Sequence, residues 1–130
     1  MFNSLVGWIL QALDARRRVR CTVHKAALSN APDIEHAFIK VTNISATKDV
    51  EITHVWFDTH PRVDVMNPHR RLPKRLKPDE TWETWIETSE IPEQERHDCF
   101  ERARVRLSVG RIIRSKKGKD IPPNGYVAGP

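Results

Sequence analysis

A chain of 130 residues with a hydrophobic fraction of 38% is long enough to bury its own core and too short for two independent domains. Its two cysteines, Cys21 and Cys99, exclude a disulfide-stapled framework, and its six scattered histidines show no HExxH, CxxC or paired spacing that would hold a metal. The formal net charge of +5 makes anionic partners plausible while saying nothing about fold.

The first segment, Met1 to Leu13, places Phe2, Leu5, Val6, Ile9 and Leu13 at helical spacing, with Trp8 and Leu10 widening the stripe. This predicts a short amphipathic helix, followed by Arg16, Arg17, Arg18 and Arg20, where positive charge suits a helix C-terminus. A secretory signal would carry its charge before the apolar stretch, and the stretch is too short to span a bilayer, so a cytoplasmic chain is expected. The helix either docks on its own domain or on a partner protein, or lies on a membrane surface with Phe2, Trp8 and Ile9 at the acyl boundary. An atypical export signal is the remaining reading.

From residue 18 the period changes from helical to two. Val19, Cys21 and Val23 alternate with polar neighbours as a first strand, and a turn-rich stretch from Ser29 to Asp33 leads to a second over Ala37 to Thr42. There Ala37, Ile39 and Val41 point inward and Phe38 outward. Asn43-Ile44-Ser45 matches a glycosylation acceptor but reads as turn chemistry, in which the Asn and Ser side chains bond the local backbone. Val50 to Thr59 is the most β-favourable run. Its apolar residues occupy both parities, as in a central strand covered on both sides or one whose faces switch at a bulge. His54 in this run reads as a satisfied core or interface histidine.

Pro61 to Pro78 is proline-dense and basic, a long crossing loop with a short edge piece over Val63 to Met66. Thr81 to Thr88 resumes as a strand. Trp82 and Trp85 are an odd number of residues apart, so Trp85 is either an exposed binding anchor, or both rings are buried by a bulge at Glu83-Thr84. Ile91 to His97 is an acidic connection with room for one helical turn. Nine acids lie between Asp79 and Glu101 against one base, Arg96, and either form one pole of a dipolar surface or neutralise the basic remainder on folding.

The last strand pair is the clearest. Ala103, Val105, Leu107 and Val109 share one parity while Arg102, Arg104 and Arg106 share the other, and Gly110 turns the chain into Arg111 to Arg114. The arginines form a ladder with side chains about 7 Å apart at alternate positions. Arg111, Arg114, Lys116, Lys117 and Lys119 extend that positive field toward the C-terminus. The ladder either meets phosphates or pairs across the sheet with Glu83 and Glu87.

These elements predict an all-β, two-sheet antiparallel sandwich of about seven strands over 18–115, preceded by the helix and basic linker of 1–17 and followed by a basic tail over 116–130. The runs Ala37-Phe-Ile-Lys-Val-Thr-Asn-Ile-Ser45, Val50-Glu-Ile-Thr-His-Val-Trp-Phe57 and Leu76-Lys-Pro-Asp-Glu-Thr-Trp82 resemble immunoglobulin-like, or fibronectin-III-like, accessory domains of bacterial proteins. The resemblance implies the sandwich fold and no catalytic residues. The two cysteines are expected as reduced, buried thiols, since no Trp follows Cys21 at the antibody-type spacing.

Functionally, the chain reads as a noncatalytic interaction module with no cofactor or metal, binding a protein partner through the helix or a sheet surface that includes Trp85. A nucleic-acid binder using the basic hairpin and a peripheral membrane protein are the alternatives.

Overall fold

The computed structural model describes residues 19–119, which form nine strands in two sheets. In chain order these are β1 (Val19–Leu28), β2 (Ala31–Asn43), β3 (Val50–Phe57), β4 (Val63–Asp64), β5 (Lys74–Leu76), β6 (Thr81–Glu87), β7 (Ala103–Leu107), β8 (Ile112–Arg114) and β9 (Lys116–Lys117). The first sheet runs β6-β2-β1-β9 and the second β4-β3-β7-β8, with β5 also paired to β3. The described residues are thus all-β and sandwich-like. Among the described residues no helix is long and apolar enough to cross a membrane. The helix expected over Met1 to Leu13, with Phe2, Trp8 and Ile9, lies outside the described residues, as does the tail beyond Lys119.

The core follows from strand parity. Val19, Cys21 and Val23 of β1, Ala37, Ile39 and Val41 of β2, Trp82 and Ile86 of β6, and Ala103, Val105 and Leu107 of β7 share one buried cluster, closed from the second sheet by Val50, Ile52, Val55 and Phe57. Removing this apolar surface from water is the main drive for the two sheets to meet. Both cysteines are buried and unbridged. Burial pushes the Cys21 thiol up to about 12, with a smaller opposing pull from Arg104.

Several expectations are corrected. The first turn is only Ser29-Asn30, so β1 and β2 form one long hairpin, irregular between Ala26 and Leu28. The sandwich is not wholly antiparallel, because β9 runs parallel to β1. Lys116 and Lys117, assigned to the tail, are therefore sheet residues. The acidic connection from Ile91 to His97 holds its single expected turn as the 3-10 turn Glu93–Glu95, and two further 3-10 turns, Thr88–Glu90 and Cys99–Glu101, flank it.

Both tryptophans of β6 are buried, and no bulge is needed. The β2–β6 register is continuous from His36 opposite Glu87 to Thr42 opposite Thr81. Trp82 faces the core, whereas Trp85 faces the opposite side of the sheet, in a second buried cluster with Ala26, Leu28 and Phe38. The Phe38 and Trp85 rings lie 5.4 Å apart, and the Arg70 guanidinium covers Trp85 at 4.6 Å from the ring centre. Trp85 is consequently only 8% exposed and offers no anchor to a partner.

Candidate functional site

The site begins with a face switch in β3. The β3–β7 pairing is irregular between Ile52 and His54, so one extra residue, Thr53, is accommodated there. Ile52 packs inward opposite Leu107, and beyond the bulge Val55 and Phe57 take over the inward positions. His54 and Trp56 are thereby turned to the outer face. His54 is exposed, with Nδ1 3.0 Å from Thr53 Oγ1, so of the two expected placements, core or interface, the core one is ruled out.

Directly opposed residues of an antiparallel pair project to the same side of the sheet. Trp56 opposes Arg104, which opposes Arg114, while His54 opposes Arg106, which opposes Ile112. The outer face of β3, β7 and β8 therefore carries two adjoining rows, Trp56-Arg104-Arg114 and His54-Arg106-Ile112. Arg62, just before β4, stacks on Trp56 with its guanidinium carbon 4.3 Å from the ring centre, and its Nε is 2.9 Å from Asp64. Ile112 is 52% exposed at the margin of this face.

Arg104 is the most enclosed cation of the face. Its Nη1 donates to the carbonyls of Glu101 at 2.8 Å and Ala103 at 2.9 Å, and its Nη2 lies 3.6 Å from Asp58. Burial lowers its affinity for the proton below the ordinary arginine value; Asp58 opposes that, and neighbouring Arg114 and Arg102 reinforce it.

The expected ladder is divided by the fold. Arg102 turns away from it: Nε and Nη2 donate to the two oxygens of Asp98 at 2.8 and 2.9 Å, and Nη1 reaches Glu95 at 2.8 Å. The hydrogen bonds from Arg102 hold the Asp98 carboxyl below the usual range. The acids that meet the arginines are therefore Asp58, Glu95 and Asp98. Glu83, expected as a cross-strand partner, lies in the other sheet opposite Lys40, and Glu87 lies there opposite His36.

The rest of the positive field is divided as well. Arg111 and Arg114 remain with the second sheet, Arg111 accepting a backbone hydrogen bond from Leu107 N at 2.9 Å. Lys116 and Lys117 cross to the first sheet, opposite Thr22 and Val23, where Lys117 Nζ and Lys25 Nζ sit over the Phe100 ring at 4.8 and 5.3 Å. Lys119 follows them and is exposed. Ser115 is the buried crossing point. Its Oγ accepts from Ala103 N at 3.1 Å and donates to the Phe100 carbonyl at 2.7 Å.

His54, Trp56 and Arg62 join the face without any earlier signal beyond the mixed parity of β3. Among the described residues, no three His, Cys, Asp or Glu side chains converge as a metal site would require. Comparison of the chain with protein-family models, curated proteins and solved structures finds no match in any of the three.

Proposed function

We propose that this chain is a noncatalytic, immunoglobulin-like β-sandwich module that binds a protein partner through the outer face of β3, β7 and β8. The observation that carries this is the composition of the face: exposed His54, Arg106, Ile112 and Arg114 around half-buried Arg104, with Trp56 buried beneath Arg62 as its footing. Exposed arginines beside an exposed apolar side chain are a mixture suited to a protein interface. Nucleic acid is less well served. The one indole of the face is already stacked by Arg62, leaving no open aromatic platform on that side for a base.

The test is chemical crosslinking of the full chain in nuclease-treated extract of its source cells, followed by mass spectrometry, with the double variant R106E/R114E beside it. The expected result is an acidic protein crosslinked at the face and lost with the double variant. The control K116E/K119E, in and just beyond β9 of the other sheet, should leave capture unchanged. Retention of DNA or RNA alone, or equal capture by R106E/R114E, would overturn the proposal.

A further inference from the structure

The edge of β3 away from β7 is shared by two very short strands. β4 pairs with it at Trp56 and Phe57, and β5 at Val50 to Ile52. Thr53, His54 and Val55 lie between these pairings, where Val65 N donates to the Val55 carbonyl at 2.9 Å. From Val65 the chain arches away to the first sheet before returning to β5, and the arch is tied down at its far end. Asn67 Nδ2 donates to the Trp85 carbonyl at 3.4 Å, Asn67 Oδ1 accepts from His69 N at 2.9 Å, and Arg70 stacks on the Trp85 ring.

Between β3 and this anchored arch lies a cleft of about 580 Å³. Val65 and Leu72 give it apolar walls, Arg62, Arg70 and Arg71 supply cations, and His54 adds an imidazole. One acid, Asp64, lines it, and that carboxylate is occupied by Arg62. Met66, 86% exposed, stands at the rim as a flexible apolar side chain suited to covering an apolar group. Two guanidiniums are held in place by stacking on Trp56 and Trp85, so the cleft's charge is oriented before anything binds.

We infer that this cleft docks an acidic peptide segment of the partner, with an apolar side chain in the pocket and flanking carboxylates on Arg70, Arg71 and His54. The inference rests on the protein-binding reading above and names the partner's chemistry. Its argument is charge complementarity: cations outnumber the one paired acid around an apolar floor. An acid-apolar segment satisfies both, whereas a polyanion without side chains to bury leaves the floor empty. His54 belongs to the cleft and to the outer face, so one partner chain can run continuously across both.

The test is fluorescence anisotropy of the full chain with a labelled peptide of alternating Glu and Leu, beside analogues with Gln for Glu and Ser for Leu. Amide chemical-shift mapping locates the contact. The expected result is binding that shifts Val55, Val65 and Asn67, falls about tenfold with each analogue, and falls about tenfold in R71E, whose side chain is exposed. M66Q should weaken it by about threefold. Equal binding of the Gln analogue, or binding unchanged in both R71E and M66Q, would overturn the inference. Loss in R106E/R114E with no change in the cleft variants would place the peptide on the sheet face, overturning the inference while leaving the proposed function standing. Peptide binding at the cleft, with no protein crosslinked in the extract, would sustain the inference and count against the wider reading.

Discussion

The Asn43 side-chain amide donates to the Leu76 carbonyl at 3.0 Å, joining the end of β2 to β5 across 33 positions of sequence. The same amide donates to the Lys48 carbonyl at 2.8 Å, and Asn43 Oδ1 accepts from Ser45 N at 3.0 Å. Its main chain is used too: Asn43 N donates to the Glu80 carbonyl, and Asp79 N donates to the Asn43 carbonyl at 2.8 Å. Asp79 has φ 64°, and the Lys77–Glu80 turn closes with Glu80 N on the Lys77 carbonyl at 3.0 Å. One fully buried asparagine thus holds together the 44–49 turn and the turn that launches β6.

Asn43→Ala is therefore expected to destabilise the fold by about 2–3 kcal/mol, because the buried Leu76 carbonyl and Ser45 N both lose their partner. Asn43→Asp should be no better at neutral pH, since it aims a carboxylate at two carbonyls. Urea denaturation of the two variants checks this; a loss under about 0.5 kcal/mol in Asn43→Ala would remove Asn43 from this role.

Ser115→Ala should cost about 1–2 kcal/mol, as both Ala103 N and the Phe100 carbonyl lose the hydroxyl at a buried site. Ser115→Thr keeps the hydroxyl, yet adds a methyl to a closely packed crossing between β8 and β9. Amide exchange at Ala103 measures the local effect, and protection there equal to that of the parent would count against it.

The Cys21 thiol should resist modification in the native chain. With its acidity pushed to about 12 by burial, almost no thiolate exists at pH 8. Ellman's reagent should report neither cysteine until urea is added, since Cys99 is also buried. The folded value lies above the unfolded one, so Cys21 supports the fold fully below the unfolded value and loses that support as pH rises toward 12. Rapid native labelling of Cys21 would contradict the buried placement.

Asp98 bears on the acid limb. Its carboxyl titrates below the usual 3.8 because Arg102 hydrogen-bonds the ionised form. A lowered folded value means that the stabilisation is present above the unfolded value and is lost as pH falls through the folded one. Asp98→Asn should flatten this part of the stability profile below about pH 4, with little change in its slope near pH 7. Carbon-detected titration of the Asp98 carboxyl gives a direct check; a value at or above 3.8 would contradict the pairing.

Much of the fold was legible because alternation is local. The inward sets of β1, β2 and β7, the outward Phe38, and the turn at Gly110, which has φ 90°, all follow from a period of two and a few turn residues. β5 and β9 are not legible in the sequence, because strands of three and two residues, rich in Lys and Arg, carry no period. The burial of Trp85 is not legible for a different reason. Parity placed it correctly on the face away from the core, but only the arch carrying Asn67 and Arg70 shows that this face is covered.

The sequence by itself determined the strand-forming segments and which side chains of each strand share a face, since backbone geometry imposes that period wherever a strand forms. Tertiary structure decided which sheet each strand joined, and hence which charges meet. Arg102 found Asp98 and Glu95, Arg104 found Asp58, and Lys116 and Lys117 left the arginines for the other sheet. Attraction between opposite charges carries no record of sequence position, so nine acids and a row of arginines permit many pairings. Only the packed core, by fixing where the strands lie, selects one.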